Sequence, residues 1–143
     1  MQMHKIQDPV FGQMEVSHGW QKRELIQFWN KDISLRIKAT QYDNKEIMDI
    51  QRKNYRYVID NIKTICEKTK DVIAKYMAIN KDNIRPNLPK SAVFLPENLV
   101  VPKTLIFFAD GQFGILFDCE WDSEHGLAVN LKDYTVGPQD ILL

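Results

Sequence analysis

Three histidines, two cysteines and a dense row of carboxylates are the side chains of this 143-residue chain that could do chemistry. Histidine is the usual general base near neutral pH. Here His4 lies at the start of the chain, and His18 and His125 fall in turn sequences with no second histidine at a metal-ligand spacing. Ser123 stands two residues from His125 and Cys119 six. They form a nucleophile and base only if the fold brings them together, and turn residues serving turn geometry is the simpler reading. The sequence holds no P-loop, nucleophile elbow, dinucleotide-binding glycine pattern or paired-cysteine motif.

The densest constellation is Phe117-Asp118-Cys119-Glu120-Trp121-Asp122-Ser123-Glu124-His125-Gly126. Counted from Asp118 as a calcium loop, the sixth position is Ser123 instead of Gly and the twelfth is Val129 instead of Glu. A zinc set of His and Cys is also missing, so no metal and no cofactor is expected. A strand running from Phe113 through Trp121 would send Phe113, Ile115, Phe117, Cys119 and Trp121 to one face and Asp118 and Glu120 to the other. Asp122 and Glu124 would extend the carboxylates into a turn. Such a row repels itself; it either meets a basic partner or an external cation, or forms a solvated strand face.

Net charge is zero, but it is unevenly spread. From residue 104 onward there are seven acids and one base, a net of −6, balanced by +6 on the preceding 103 residues. The acidic segment could steer a basic protein, or the two segments could neutralise each other within the fold. The balanced total offers no argument for nucleic acid or a membrane surface, and neither is expected as a direct partner. Tyr55 and Tyr57 beside Arg52, Lys53 and Arg56 alternate with Asp49 and Asp60, which reads as a solvated helix face.

Length and a 44% hydrophobic content suit one globular domain over 1–143, with a core that needs no staple. Cys66 and Cys119 are expected as buried thiols in a reducing cytosol. The opening MQMHKIQDPVFGQMEV has no apolar h-region and no run of 18 apolar residues occurs, so a soluble cytoplasmic protein is expected.

Positioning these residues falls to strands at both ends and helix between them. Residues 10–39 alternate in a period of two, with Ile33, Leu35, Ile37 and Ala39 pointing to a core. Residues 24–39 read as a hairpin turning at Asn30-Lys31-Asp32, and Ser17-His18-Gly19 as an earlier turn. At Tyr42 the period becomes 3.6. Asp43 and Glu46 could form a capping box, with Tyr42 and Ile47 as its hydrophobic staple. Tyr55, Val58, Ile62, Ile65, Thr69, Val72 and Tyr76 then give one apolar stripe to about Asn80, as one long helix or two, with a break favoured near residues 68–71. Residues 81–103, holding Pro86, Pro89, Pro96 and Pro102, read as an ordered loop. Strands follow over 104–109, 112–119 and 127–131, turning at Asp110-Gly111 and at 122–126. Trp20, Trp29 and Trp121 fall at strand ends or turns, where they pack the core edge. The fold class is α+β: a mostly antiparallel sheet from two strand meanders, with one long or two consecutive helices on one face.

The run from Phe113 to Val129, followed by Val136-Gly137-Pro138-Gln139-Asp140-Ile141, resembles a C-terminal signature of small bacterial immunity-type proteins. Asp8-Pro9-Val10-Phe11-Gly12-Gln13-Met14 and Trp20 match the D-x-x-FG-x-M-like start and Trp-containing hairpin of the same group. Such proteins occur beside polymorphic toxins and contact-dependent growth inhibition systems. The resemblance covers both strand regions and implies a protein that binds a cognate toxin in the producing cell and blocks it. The members do not share one toxin, so the resemblance assigns no site residue.

Together these features lead to a non-catalytic immunity protein, a monomer or weak dimer. It would occlude the basic surface of a nuclease or other nucleic-acid-directed toxin with Asp118, Glu120, Asp122 and Glu124. The competing readings are a small metal-assisted hydrolase using Asp118, Glu120 or His125, and a self-associating module with the helix stripe as its seam.

Overall fold

Period-two alternation at both ends of the chain produces one eight-stranded sheet, and the 3.6-residue stripe between them produces the helices that cover it. The computed structural model describes residues 5–16, 18–41 and 46–143. Strands β1 (Lys5–Asp8), β2 (Gly12–Val16), β3 (Trp20–Phe28) and β4 (Lys31–Ala39) form the first antiparallel meander. Strands β5 (Val100–Phe107), β6 (Phe113–Cys119), β7 (Leu127–Asn130) and β8 (Val136–Gly137) form the second. Sheet order follows chain order, and β4 and β5 join the meanders as the one parallel pair among them. A parallel pair needs a long crossover. That crossover carries α1 (Asp49–Asp60), α2 (Ile62–Ile79), α3 (Lys81–Ile84) and α4 (Pro96–Leu99).

The β3–β4 turn is Trp29-Asn30, one residue earlier than expected, because Phe28 pairs with Lys31. Both turn residues take positive φ, +50° and +64°, as a two-residue type I′ turn requires. The left-handed Trp29 is held in place: its indole N–H donates to the Cys66 carbonyl at 2.9 Å and its ring stacks on Phe117.

The helix begins at Asp49, not in the low forties. Residues 46–48 are not helical, and Met48 is extended as the N-cap. Tyr42 and Asp43 lie outside the described residues. Gln51 supplies the cap, its Oε1 accepting the Met48 N–H at 2.8 Å. The same buried amide donates to the carbonyls of Thr40 (2.7 Å) and Phe107 (3.0 Å). One side chain therefore pins α1 across the ends of β4 and β5.

The helices part at Asn61 rather than at 68–71. The Asn61 backbone N–H reaches the carbonyls of both Tyr57 and Val58, and its side-chain amide donates to Tyr57. An Asn side chain that competes for the helix's own carbonyls favours such an interruption. Thr69, within the stretch where the sequence favours a break, is buried inside α2. The proline-bearing stretch is made of short helical turns, and β5 starts at Val100 with Pro102 inside it at a bulge, so the strand lies earlier than residues 104–109. Strand β6 ends at Cys119, leaving Glu120 and Trp121 in the turn.

Phe11, Met14, Phe28, Leu35, Ile37, Ile65, Ile73, Met77, Leu105, Phe107, Ile115 and Phe117 are fully buried between sheet and helices. A second, smaller cluster lies on the face away from the helices, where Leu142 packs on Ile106 and Ala128 with Phe108 and Leu116 at its margin. Gly114 permits this closeness: a Cβ there would come within 2.5 Å of both Leu142 Cδ1 and the Val129 carbonyl oxygen.

Candidate functional site

The carboxylates singled out in the sequence gather where β6 ends and turns toward β7. Asp118 is exposed on the face away from the helices, opposite Val101 of β5. The bulge between Pro102 and Thr104 places Lys103 beside it, with Nζ 3.3 Å from Asp118 Oδ1. Glu120 follows the strand; its N–H donates to the Leu99 carbonyl while its side chain is exposed. Asp122 organises the next turn, its Oδ1 accepting the His125 N–H at 3.0 Å and its Oδ2 standing 3.0 Å from His125 Nδ1. The backbone N–H of His125, with its imidazole in support, holds the Asp122 carboxyl below its usual range. Glu124 is exposed.

Two members of the self-repelling row have basic neighbours within the fold. Lys103 offsets Asp118, and His125 offsets Asp122 when protonated. Glu120 and Glu124 have no ion pair among the described residues. Beside them a cavity of about 400 Å3 opens, lined by Leu99, Val101, Lys103, Asp118, Glu120 and Ser123 among others. Val101 is 55% exposed. Sequence reasoning missed both Val101 and Lys103 because the segment read as loop, and a bulge that redirects one lysine leaves no periodic signal.

The possible nucleophiles do not meet a base. The Cys119 thiol is buried, which pushes its pKa up to about 11, and it contacts the Asp122 carbonyl oxygen at 3.3 Å. Burial likewise pushes Cys66 to about 11, and both cysteines are free thiols. The His125 ring faces Asp122, not Ser123 or Cys119. His18 sits in the β2–β3 turn with φ +55°, and His4 lies outside the described residues. Among the described residues no group of three His, Cys, Asp or Glu side chains could hold a metal ion.

A second polar cluster lies between β3 and α1. The Tyr55 hydroxyl donates to Glu24 Oε2 at 2.6 Å and accepts from Lys22 Nζ at 2.8 Å, and Lys22 also donates to the Phe11 carbonyl. Burial, then Glu24, push the Tyr55 hydroxyl above its ordinary pKa, so it keeps its proton. Each member satisfies another, which is the behaviour of a structural tie. Arg52 is also committed, to Asp8 and Asp49, so it forms no free basic patch with Tyr57.

The architecture is thus an α+β domain with an acidic, partly apolar rim at one end of its sheet and no assembled nucleophile–base pair among its described residues. The chain belongs to the family described as Domain of unknown function (DUF6985), whose model matches residues 10–143. No curated protein and no solved structure matches it. Among the described residues no helix is long and apolar enough to cross a membrane.

Proposed function

We propose that this chain is a non-catalytic, cytoplasmic immunity protein that binds a cognate toxin, a nuclease or another nucleic-acid-directed enzyme, and covers its substrate-binding surface. The observation that carries this reading is the rim itself: Glu120 and Glu124 without ion-pair partners, Asp118 beside them, and exposed Val101 in the adjoining cavity. Carboxylates around an apolar contact suit a basic groove, whose phosphate-binding side chains would pair with them in place of substrate. Like charges gathered at one end also speed encounter with a partner of opposite sign. Asp122 serves the turn first and the partner second, since its oxygens already hold His125.

The test is coexpression of Glu120→Lys with Glu124→Lys beside the toxin-like product of the adjacent gene, reading growth rescue and complex affinity across salt. These exposed positions should melt close to the parent protein. Protection should fail, with affinity reduced roughly tenfold or more, and parent affinity should weaken as salt rises. Full protection with unchanged affinity would refute the acidic rim as the interface.

A further inference from the structure

The face of β1–β4 away from the helices bears a different chemistry. Alternation sends Lys5, Gln13, Gln21, Arg23, Leu25, Arg36 and Lys38 to that side, opposite the buried Met14, Ile26, Leu35 and Ile37. No helix covers it, and the small cluster around Leu142 lies over β5–β7 instead. A cavity of about 670 Å3 lies on this face, with Lys5, Gln13, Glu15, Gln21, Arg23 and Arg36 in its lining.

Arg23 and Arg36 are direct cross-strand partners. Like charges directly opposite each other destabilise an antiparallel pair. Neither guanidinium has a carboxylate partner among the described residues; Arg23 reaches only the Ser34 carbonyl, at 3.4 Å. Glu15 is already engaged with Lys5 at 3.4 Å. Two paired guanidinium forks over a concavity are therefore a built-in repulsion that a bound anion would relieve.

We infer that the exposed face of β1–β4 is a docking surface for a carboxylate-rich protein segment, separate from the acidic rim. Guanidinium forks match carboxylates in bidentate geometry. The glutamines supply further donors and acceptors for a peptide backbone, and Leu25, 69% exposed, supplies an apolar contact one position along from Arg23 on the same side. Nucleic acid fits less well. No aromatic side chain of β1–β4 lies on this face to stack a base.

The experiment titrates the full chain with a fluorescein-labelled peptide alternating glutamate and serine around a single leucine, following anisotropy at several salt concentrations. An oligothymidylate of equal charge serves as competitor. The parent protein should bind the peptide saturably. Arg23→Glu with Arg36→Glu should weaken binding roughly tenfold or more. Glu120→Lys with Glu124→Lys should leave it unchanged, which separates this surface from the toxin-binding rim. Arg36→Gln alone removes the repulsion without reversing charge, so it should melt at or above the parent temperature while still losing peptide affinity. Absent binding by the parent, equal binding by the reversed variant, or stronger competition by the oligothymidylate than by unlabelled peptide would overturn the inference.

Discussion

Strands β1–β4 and β5–β8 share one sheet and one helix-covered core, but their other faces differ. In β4 the alternation is clean, with buried Leu35, Ile37 and Ala39 separated by exposed Arg36 and half-buried Lys38. In β5 and β6 it breaks down: Thr104, Leu105, Ile106 and Phe107 are all buried, as are Phe113, Gly114 and Ile115. Strands buried on both faces lose their alternation, whereas a sheet with one solvated face keeps it. Residues after β8 fold back to cover the second meander, with Leu142 over Gly114. The first meander is left with a polar, cationic surface. The outer surfaces therefore differ, with Arg23 and Arg36 on the bare face and the carboxylates of Asp118, Glu120 and Glu124 at the end of the covered meander.

The deepest common feature should give the largest loss. Ile65 is fully buried on the sheet-facing side of α2, and Ile65→Ala should cost about 2–5 kcal/mol by chemical denaturation. Ile62, only half-buried, should cost less on the same substitution. Splitting of an oligomer by Ile62→Ala with an unchanged melting temperature would instead support the helix stripe as a seam.

Next in size is the tie that fixes the first meander to the helices. Asp8 is buried, accepting the N–H groups of Val10 and Phe11 at 2.9 Å each and the Arg52 Nε at 2.8 Å. Burial alone would raise its carboxyl pKa, but the two N–H groups and the guanidinium outweigh it and hold the value below 3.8. A depressed acid stabilises the fold above its unfolded pKa and loses that contribution as pH falls through the folded value. Stability should therefore drop in acid below about 3.8, and Asp8→Asn should flatten that limb while costing about 1.5–3 kcal/mol near neutral pH. Urea midpoints across the acid range measure both effects.

The smallest effects sharpen the contrast between the outer faces. Gly114→Ala pushes a methyl against Leu142 and the β7 backbone and should destabilise by about 1–3 kcal/mol. Leu25→Ser, on the bare face, should stay within about 0.5 kcal/mol of the parent. Equal melting shifts for the two would mean that the faces are not covered as differently as described.

The order of strands, helices and strands was legible because it rests on local periodicity. Ile33, Leu35, Ile37 and Ala39 declare a strand, Val58, Ile65 and Thr69 declare a helix, and Asp110-Gly111 declares a turn. Helix ends were less legible, since Gln51 caps α1 through contacts that include β4 and β5, and Asn61 interrupts the helices through its own side chain. Of the candidate site, the identities of Asp118, Glu120, Asp122 and Glu124 could be read directly, but not their partners.

The sequence by itself determined the regular strands and the two long helices, and which side chains of an unbulged strand share a face, because backbone geometry ties those choices to neighbours a few residues away. Only the tertiary structure decided that β4 lies parallel to β5, that a bulge brings Lys103 to Asp118, that Arg23 faces Arg36, and that Leu142 covers one meander and leaves the other bare. Each of these joins residues distant in sequence. Which pairing wins depends on the shape and burial of the whole core, and local periodicity does not encode that.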